Sequence, residues 1–175
     1  QIACRKAKMI ALRKEQEADV LHVQEAAAVS ALNQWNGLDE AGESPYLHKK
    51  QAQAYGVRFD GENIVVPMCD ADAKLWSLQT IKPDGDKRFA YQGRKKGCYH
   101  TIGQIEEVVY VAEGYSTAAS VHMATGAAVV VAFDAGNLEP VIDALKAKYP
   151  ELKIIIAGDD DRWKDKNTGR TTAEA

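Results

Sequence analysis

Glu113, Asp159 and Asp161 are the residues whose types and positions could do chemistry. Each follows an apolar run. Residues 108–112 precede Glu113-Gly114, and residues 152–157 precede Gly158-Asp159-Asp160-Asp161. In an extended chain, residues two apart face the same side, so Asp159 and Asp161 pair while Asp160 faces away. Carboxylates that converge repel one another unless a cation holds them. Hard oxygen donors of this kind suit Mg²⁺ or Mn²⁺. A third apolar run, 127–133, leads into Asp134-Ala135-Gly136-Asn137. Asp134 could be a further ligand or orient one, but both Asp134 and Asn137 read better as turn-formers, with Asn137 capping the next helix.

The elements that must position these acids alternate. Between the first two runs, residues 116–125 carry Ala118, Ala119, Ser120 and Ala124, small enough for a helix to lie close on a sheet, and Gly126 ends them. Between the second and third runs, Leu138, Val141, Ile142, Leu145 and Tyr149 recur at helical spacing, and Pro150 stops the pattern. A β-α-β-α-β order implies a parallel sheet with flanking helices. Ligands of such sheets bind beyond the carboxyl ends of the strands, where all these acids lie. The run 127–133 is expected to be a central strand.

Upstream the character differs. Residues 2–35 lack Gly and Pro and are rich in Ala, Lys, Glu and Gln, which favours one long helix, or two joined near Asp19. Leu21, Ala28, Leu32 and Trp35 form its apolar stripe, expected to dock on the rest. A loop over 36–44 and a short helix over 48–55 follow. Runs at 63–67, 75–81 and 88–91, separated by turn-formers, read as a small antiparallel meander. Within it, residues 87–96 read KRFAYQGRKK, five of ten basic and none acidic. Basic residues interleaved with Phe89 and Tyr91 fit a phosphate-contacting edge. The competing reading is a solvated hairpin whose aromatics point into the core.

Composition sets the outer limits. The chain has 175 residues, 46% apolar, and a net charge of −3. Cys4, Cys69 and Cys98 form no C-x-x-C pair, which argues against a zinc site and suits a reducing, cytoplasmic setting. The four histidines show no ligand spacing and read as structural. No run approaches the ~20 apolar residues of a membrane span. Opening on Gln1 and closing on Thr-Ala-Glu-Ala, the chain reads as a segment of a larger protein.

A strand ending in Glu-Gly, a small-residue helix, a second strand, an amphipathic helix and a strand ending in Asp-x-Asp resemble the Toprim domain. The stretches SPYLHKK, NIVVPMCDADAKLWSLQTIKPDGDKRF, VAEGYSTAASVHMATG, VVVAFDAGNL and IIIAGDDDR resemble, more narrowly, the primases of phages and plasmids. The resemblance implies an α/β fold. A helical arm (1–43) and a small β-rich subdomain with a basic meander (44–104) precede a Toprim domain with a parallel sheet and flanking helices (105–175, incomplete at its C-terminus). It also implies a nucleotidyltransferase. Glu113, Asp159 and Asp161 would be its catalytic and metal-binding residues, using Mg²⁺ or Mn²⁺. Lys82, Lys87, Arg88 and Arg94 would touch template or nucleotide, with Lys95 and Lys96 as further candidates. Single-stranded DNA, ribonucleoside triphosphates and a replicative helicase, fused or separate, would be its partners. A Toprim nuclease or topoisomerase module, or a non-catalytic nucleic-acid-binding domain, are the alternative readings.

Overall fold

With no Gly or Pro to interrupt it, the first segment runs as a single helix, α1 (Ile2–Asn36), in a computed structural model that describes residues 2–158. Its contact face differs from the expected stripe. Ala28 and Ala31 are buried and Trp35 is half-buried, whereas Leu21 and Leu32 are each 48% exposed. Positions 24, 28, 31 and 35 recur at intervals of four, three and four, which is one helical face. Leu32 is rotated off that face. Small alanines let the helix axis approach Val65 and Leu78 of the sheet beneath, where leucines would hold it away.

Helix α2 (Pro45–Lys50) begins three residues earlier than expected, because Pro45 is pre-set for the first helical turn. Four strands then form an antiparallel sheet: β1 (Arg58–Asp60), β2 (Asn63–Cys69), β3 (Leu75–Ile81) and β4 (Lys87–Phe89), in that spatial order. Strand β4 is a short edge, with all three residues exposed.

The second sheet contains β5 (His100–Ile102), β6 (Val108–Ala112), β7 (Ala128–Val131) and β8 (Lys153–Ala157), in the order β5-β7-β6-β8. Helix α3 (Tyr115–Thr125) joins β6 to β7, and α4 (Leu138–Lys148) joins β7 to β8. Pairing of β6 with β7 and with β8 is parallel, while β5 joins β7 antiparallel. Both β6 and β7 are therefore interior, as expected for 127–133. Strand β5 pairs with this sheet rather than with the meander that precedes it in sequence.

Side chains alternate across the sheet. Ala112, Val129 and Val131 share a core with Tyr115, Ala118 and Ala119 of α3. Val109, Val111 and Val130 share the other with Leu138, Val141 and Leu145 of α4. The connections β6-to-β7 and β7-to-β8 run in opposite directions across the sheet, and right-handed crossovers then put their helices on opposite faces. The α3-side core also holds Ile64, Val66, Met68, Trp76 and Ile81, so the two sheets are welded by one apolar mass. Each such side chain contributes ~1.5–3 kcal/mol on full burial. Among the described residues no helix is long and apolar enough to cross a membrane.

Polar cross-links reinforce that weld. The segment between α2 and β1 turns at Gln51 (φ +51) and Gly56 (φ +62). The Tyr55 N–H donates to the Tyr115 hydroxyl at 2.6 Å, and that hydroxyl donates to the Gln53 carbonyl at 3.1 Å. His100, buried on β5, meets the Tyr55 carbonyl at 2.9 Å. A Cβ at Gly56 would stand 2.9 Å from the His100 ring. His100 and His122, which contacts the Ala127 carbonyl, thus have the structural roles their spacing predicts.

Burial pushes the His100 pKa from 6.5 down to about 4, against the opposing effect of the Tyr55 hydrogen bond. A base with a depressed folded pKa is neutral in the fold, so its contribution is complete above pH 6.5. It is lost as pH falls toward 4, where the unfolded chain binds the extra proton. Urea unfolding at pH 7, 6 and 5 should therefore show stability falling more in the wild type than in His100→Gln, by roughly 0.7 kcal/mol between pH 7 and 6 and by about 1.2 kcal/mol between pH 6 and 5. Equal pH slopes would remove His100 from this account.

Candidate active site

The parallel ladder delivers the candidate residues to one rim. Ala112 is level with Val131 of β7 and with Ala157 of β8. Neighbouring strands are ~4.8 Å apart, so the segments leaving these three residues start side by side. Glu113 follows Ala112, and Phe133-Asp134 follow Val131 by two residues. Gly158 follows Ala157. Asp159 and Asp161 lie outside the described residues, one and three positions beyond Gly158. Among the described residues no group of three or more His, Cys, Asp or Glu side chains could hold a metal ion.

The basic meander meets this rim from the other sheet. The Lys87 ammonium, at the start of β4, lies 3.5 Å from where a Cβ on Gly114 would stand. That is ordinary van der Waals distance, so the ammonium lies against the turn that follows Glu113. Eight residues on, the Lys95 ammonium pairs with the Asp134 carboxylate and lies 5.1 Å from the Phe89 ring centre. Phe89 meets Phe133 edge-on at 6.4 Å. Phe133 itself has φ +74, a left-handed conformation that a bulky side chain adopts only when its surroundings hold it there. Lys87 and Lys95 thus bracket the ends of β6 and β7.

The other candidate cations lie elsewhere. Lys82 and Arg88 share the Asp86 carboxylate, at 3.5 Å and 3.0 Å. The hydrogen bond from Arg88, reinforced by Lys82, holds that carboxyl below its usual range. The pairs are exposed and add little to stability, so both cations can exchange Asp86 for a phosphate at small cost. Arg94 turns away from the rim. Its guanidinium stacks on Trp76 at 4.8 Å and lines a cavity of about 850 Å³ with Asp70, Asp72, Lys96, Glu139 and Asp143.

Residues 107–175 match the family model for the Toprim domain. The chain carries a Toprim domain. It is 45% identical over 143 residues to a DNA primase TraC of Escherichia coli, an alignment covering 75% of this chain and 14% of that protein. A second DNA primase TraC of the same organism is 47% identical over 145 residues, covering 75% and 10%. The chain thus spans a seventh or less of these relatives. Among solved structures, the primase fragment of the bacteriophage T7 primase-helicase protein is similar at TM-score 0.47 and 17% identity, over 74% of this chain and 53% of that one. The primase domains in a T7 lagging-strand polymerase assembly are similar at TM-score 0.47 and 14% identity, over 74% and 65%.

Two rim residues of the Toprim domain differ from their expected turn roles. Asn137 stands at the head of α4 but makes no side-chain cap. Instead its amide, only 2% exposed, accepts from the Gly97 N–H at 2.8 Å and donates to the Cys98 and Ala132 carbonyls at 2.9 Å each. It stitches the basic loop to the end of β7. Asp134 likewise makes no side-chain cap, because Lys95 takes its carboxylate. The Gly-Asn-Leu run gave no signal for this cross-link, since both partners lie some 40 residues away in sequence. Cys69 and Cys98 are held as thiols: burial pushes the Cys69 thiol up to about 11 and the Cys98 thiol up to about 12.

Asn137→Ala should cost roughly 2–4 kcal/mol, because it strands one half-buried N–H and two buried carbonyls. Chemical denaturation should show a lower midpoint with an unchanged slope. A loss under ~1 kcal/mol would mean the stitch is dispensable.

Proposed function

We propose that this chain is the catalytic core of a DNA primase, joining ribonucleotides on a single-stranded DNA template. The observation that carries this reading is the bracketing of the Toprim rim by Lys87 of β4 and Lys95 of the loop that follows it. A metal-binding rim alone would serve many phosphoryl reactions. A rim with cations fixed on its flank suits a polyanionic strand held beside a reacting phosphate. Likeness to proteins named DNA primase supports the same reading.

Under this proposal Glu113, Asp159 and Asp161 would hold Mg²⁺ or Mn²⁺, their carboxylate oxygens being the donor type such ions take. Bound there, the ions would supply activation of the attacking 3′-hydroxyl and neutralisation of the leaving pyrophosphate. The chain's own part is positioning. Lys87 and Arg88 would grip phosphates of template or nucleotide along β4, and Lys82 would extend that grip past the turn. Arg94, on the side of the Trp76 cavity, would touch a strand only as it leaves the rim. Phosphate contacts hold register without reading bases. Ribonucleoside triphosphates, the template and a replicative helicase are the proposed partners. The arm (1–43), small subdomain (44–104) and Toprim domain (105–175) are the proposed units, with β5 crossing from the second into the sheet of the third.

Ribonucleotide incorporation on a single-stranded template should require Mg²⁺ or Mn²⁺ and fall at least ~100-fold in Glu113→Gln, with circular dichroism and melting unchanged. A fully active variant would sink the site assignment. Cleavage or relaxation of DNA without synthesis would sink the primase reading. Lys87→Ala with Arg88→Ala should weaken template binding and reduce the slope of log K against log salt by about 1 to 2. An unchanged slope would remove β4 from the interface.

A further inference from the structure

We infer that Tyr91 is a stacking platform for a base of the single strand, set beside the Toprim rim; this rests on the nucleic-acid reading above. Tyr91 is 87% exposed, the most exposed of the large apolar side chains of the described residues. It makes no hydrogen bond, ion pair or ring contact among them. Left in water, an aromatic ring of that size contributes nothing to folding.

The ring is nonetheless presented on a stiff support. Tyr91 occupies the corner of a turn closed by the Gly93 N–H on the Ala90 carbonyl at 3.2 Å, with Gln92 at φ +58. The Ala90 N–H is tied to the Leu78 carbonyl of β3 at 2.9 Å. A Cβ at Gly93 would stand 2.1 Å from the Ser77 hydroxyl, so the turn is pressed against β3 and admits only glycine there. A ring on such a corner loses little backbone freedom when a base lands on it.

Its surroundings select the ligand. Phe89, two residues before, touches Phe133 at the end of β7. Lys95, four residues after, touches Asp134. Four residues span at most ~14 Å of chain, so a base on Tyr91 is no more than a few nucleotides from the rim. Arg88, Lys95 and Lys96 offer cations to the flanking phosphates. The tyrosine offers a face that every base can cover, without hydrogen-bond readout. An unpaired base is required, because a duplex keeps its faces stacked internally. A protein partner would also cover an exposed tyrosine, but the five basic residues within 87–96 favour a polyanion.

The test is fluorescence anisotropy of the whole chain with labelled oligo(dT), with an abasic strand of equal length, and with duplex DNA. Tyr91→Ala should weaken oligo(dT) binding roughly 10- to 100-fold and leave the salt slope unaltered, because no charge is removed. Tyr91→Phe should bind like the wild type. Abasic strand should bind both proteins alike, and in Tyr91→Trp the new indole emission should be quenched by oligo(dT) but not by abasic strand. If the wild type binds oligo(dT) and Tyr91→Ala matches it within twofold, stacking is overturned while the nucleic-acid reading stands. If the wild type binds no single strand at low salt, that reading falls and stacking falls with it.

Discussion

The register of β6 is the constraint on which the rest depends. Ala112 is level with Val131 on one side and Ala157 on the other. That alignment makes the first residues past three strands into neighbours, although they come from points up to 45 positions apart in the chain. It is enforced from both faces. Valines at 109, 111, 129, 130 and 131 are fully buried, alternately beneath α3 and α4. A slip by one residue would exchange those faces and strand every apolar side chain on the wrong core.

A second layer of organisation joins this rim to the meander. The apolar weld is non-directional and would tolerate small rotations of one sheet against the other. Directional contacts remove that freedom. Asn137 ties the basic loop to β7 through three hydrogen bonds, and Lys95 and Lys87 reach the ends of adjacent strands. On the opposite side, Tyr115 and His100 hold the segment leading into β1. The cations are thereby set at fixed places along the rim.

Much of this was legible from residue order. Runs of β-branched residues at 108–112 and 153–157, with amphipathic spacing between, identify parallel strands and their crossovers, because burial on both faces demands uninterrupted apolar character, although β8, last in the strand order, is only half-buried. That the residues leaving these strands lie side by side followed from topology alone. What escaped was long-range and polar. Asn137 next to a helix start looks like any cap; only tertiary placement decides that its amide serves residues 97, 98 and 132. Part of the α1 contact face escaped for the same reason, since Ala28 and Trp35 dock as expected while Leu21 and Leu32 do not. Leucines advertise burial in sequence, but a helix that must lie tight on β3 uses Ala28 and Ala31. Of the basic cluster, local composition marks five candidates without separating Lys95, at the rim, from Arg94, stacked on Trp76. The left-handed Phe133 has no sequence signal at all.

The Tyr55–Tyr115 hydrogen bond carries a mechanical consequence. Tyr115 is the first residue of α3, immediately after the turn that follows Glu113. Its hydroxyl grips a segment that belongs to the other half of the molecule. Prying the halves apart would therefore drag on the helix that anchors the acidic turn. Opening the two sheets like jaws would break this cross-link and expose the apolar core that joins them. Under the proposed function, access would then come from the strand's own pliability, which would favour flexible, unpaired polymers over stiff ones before any contact with a base is made.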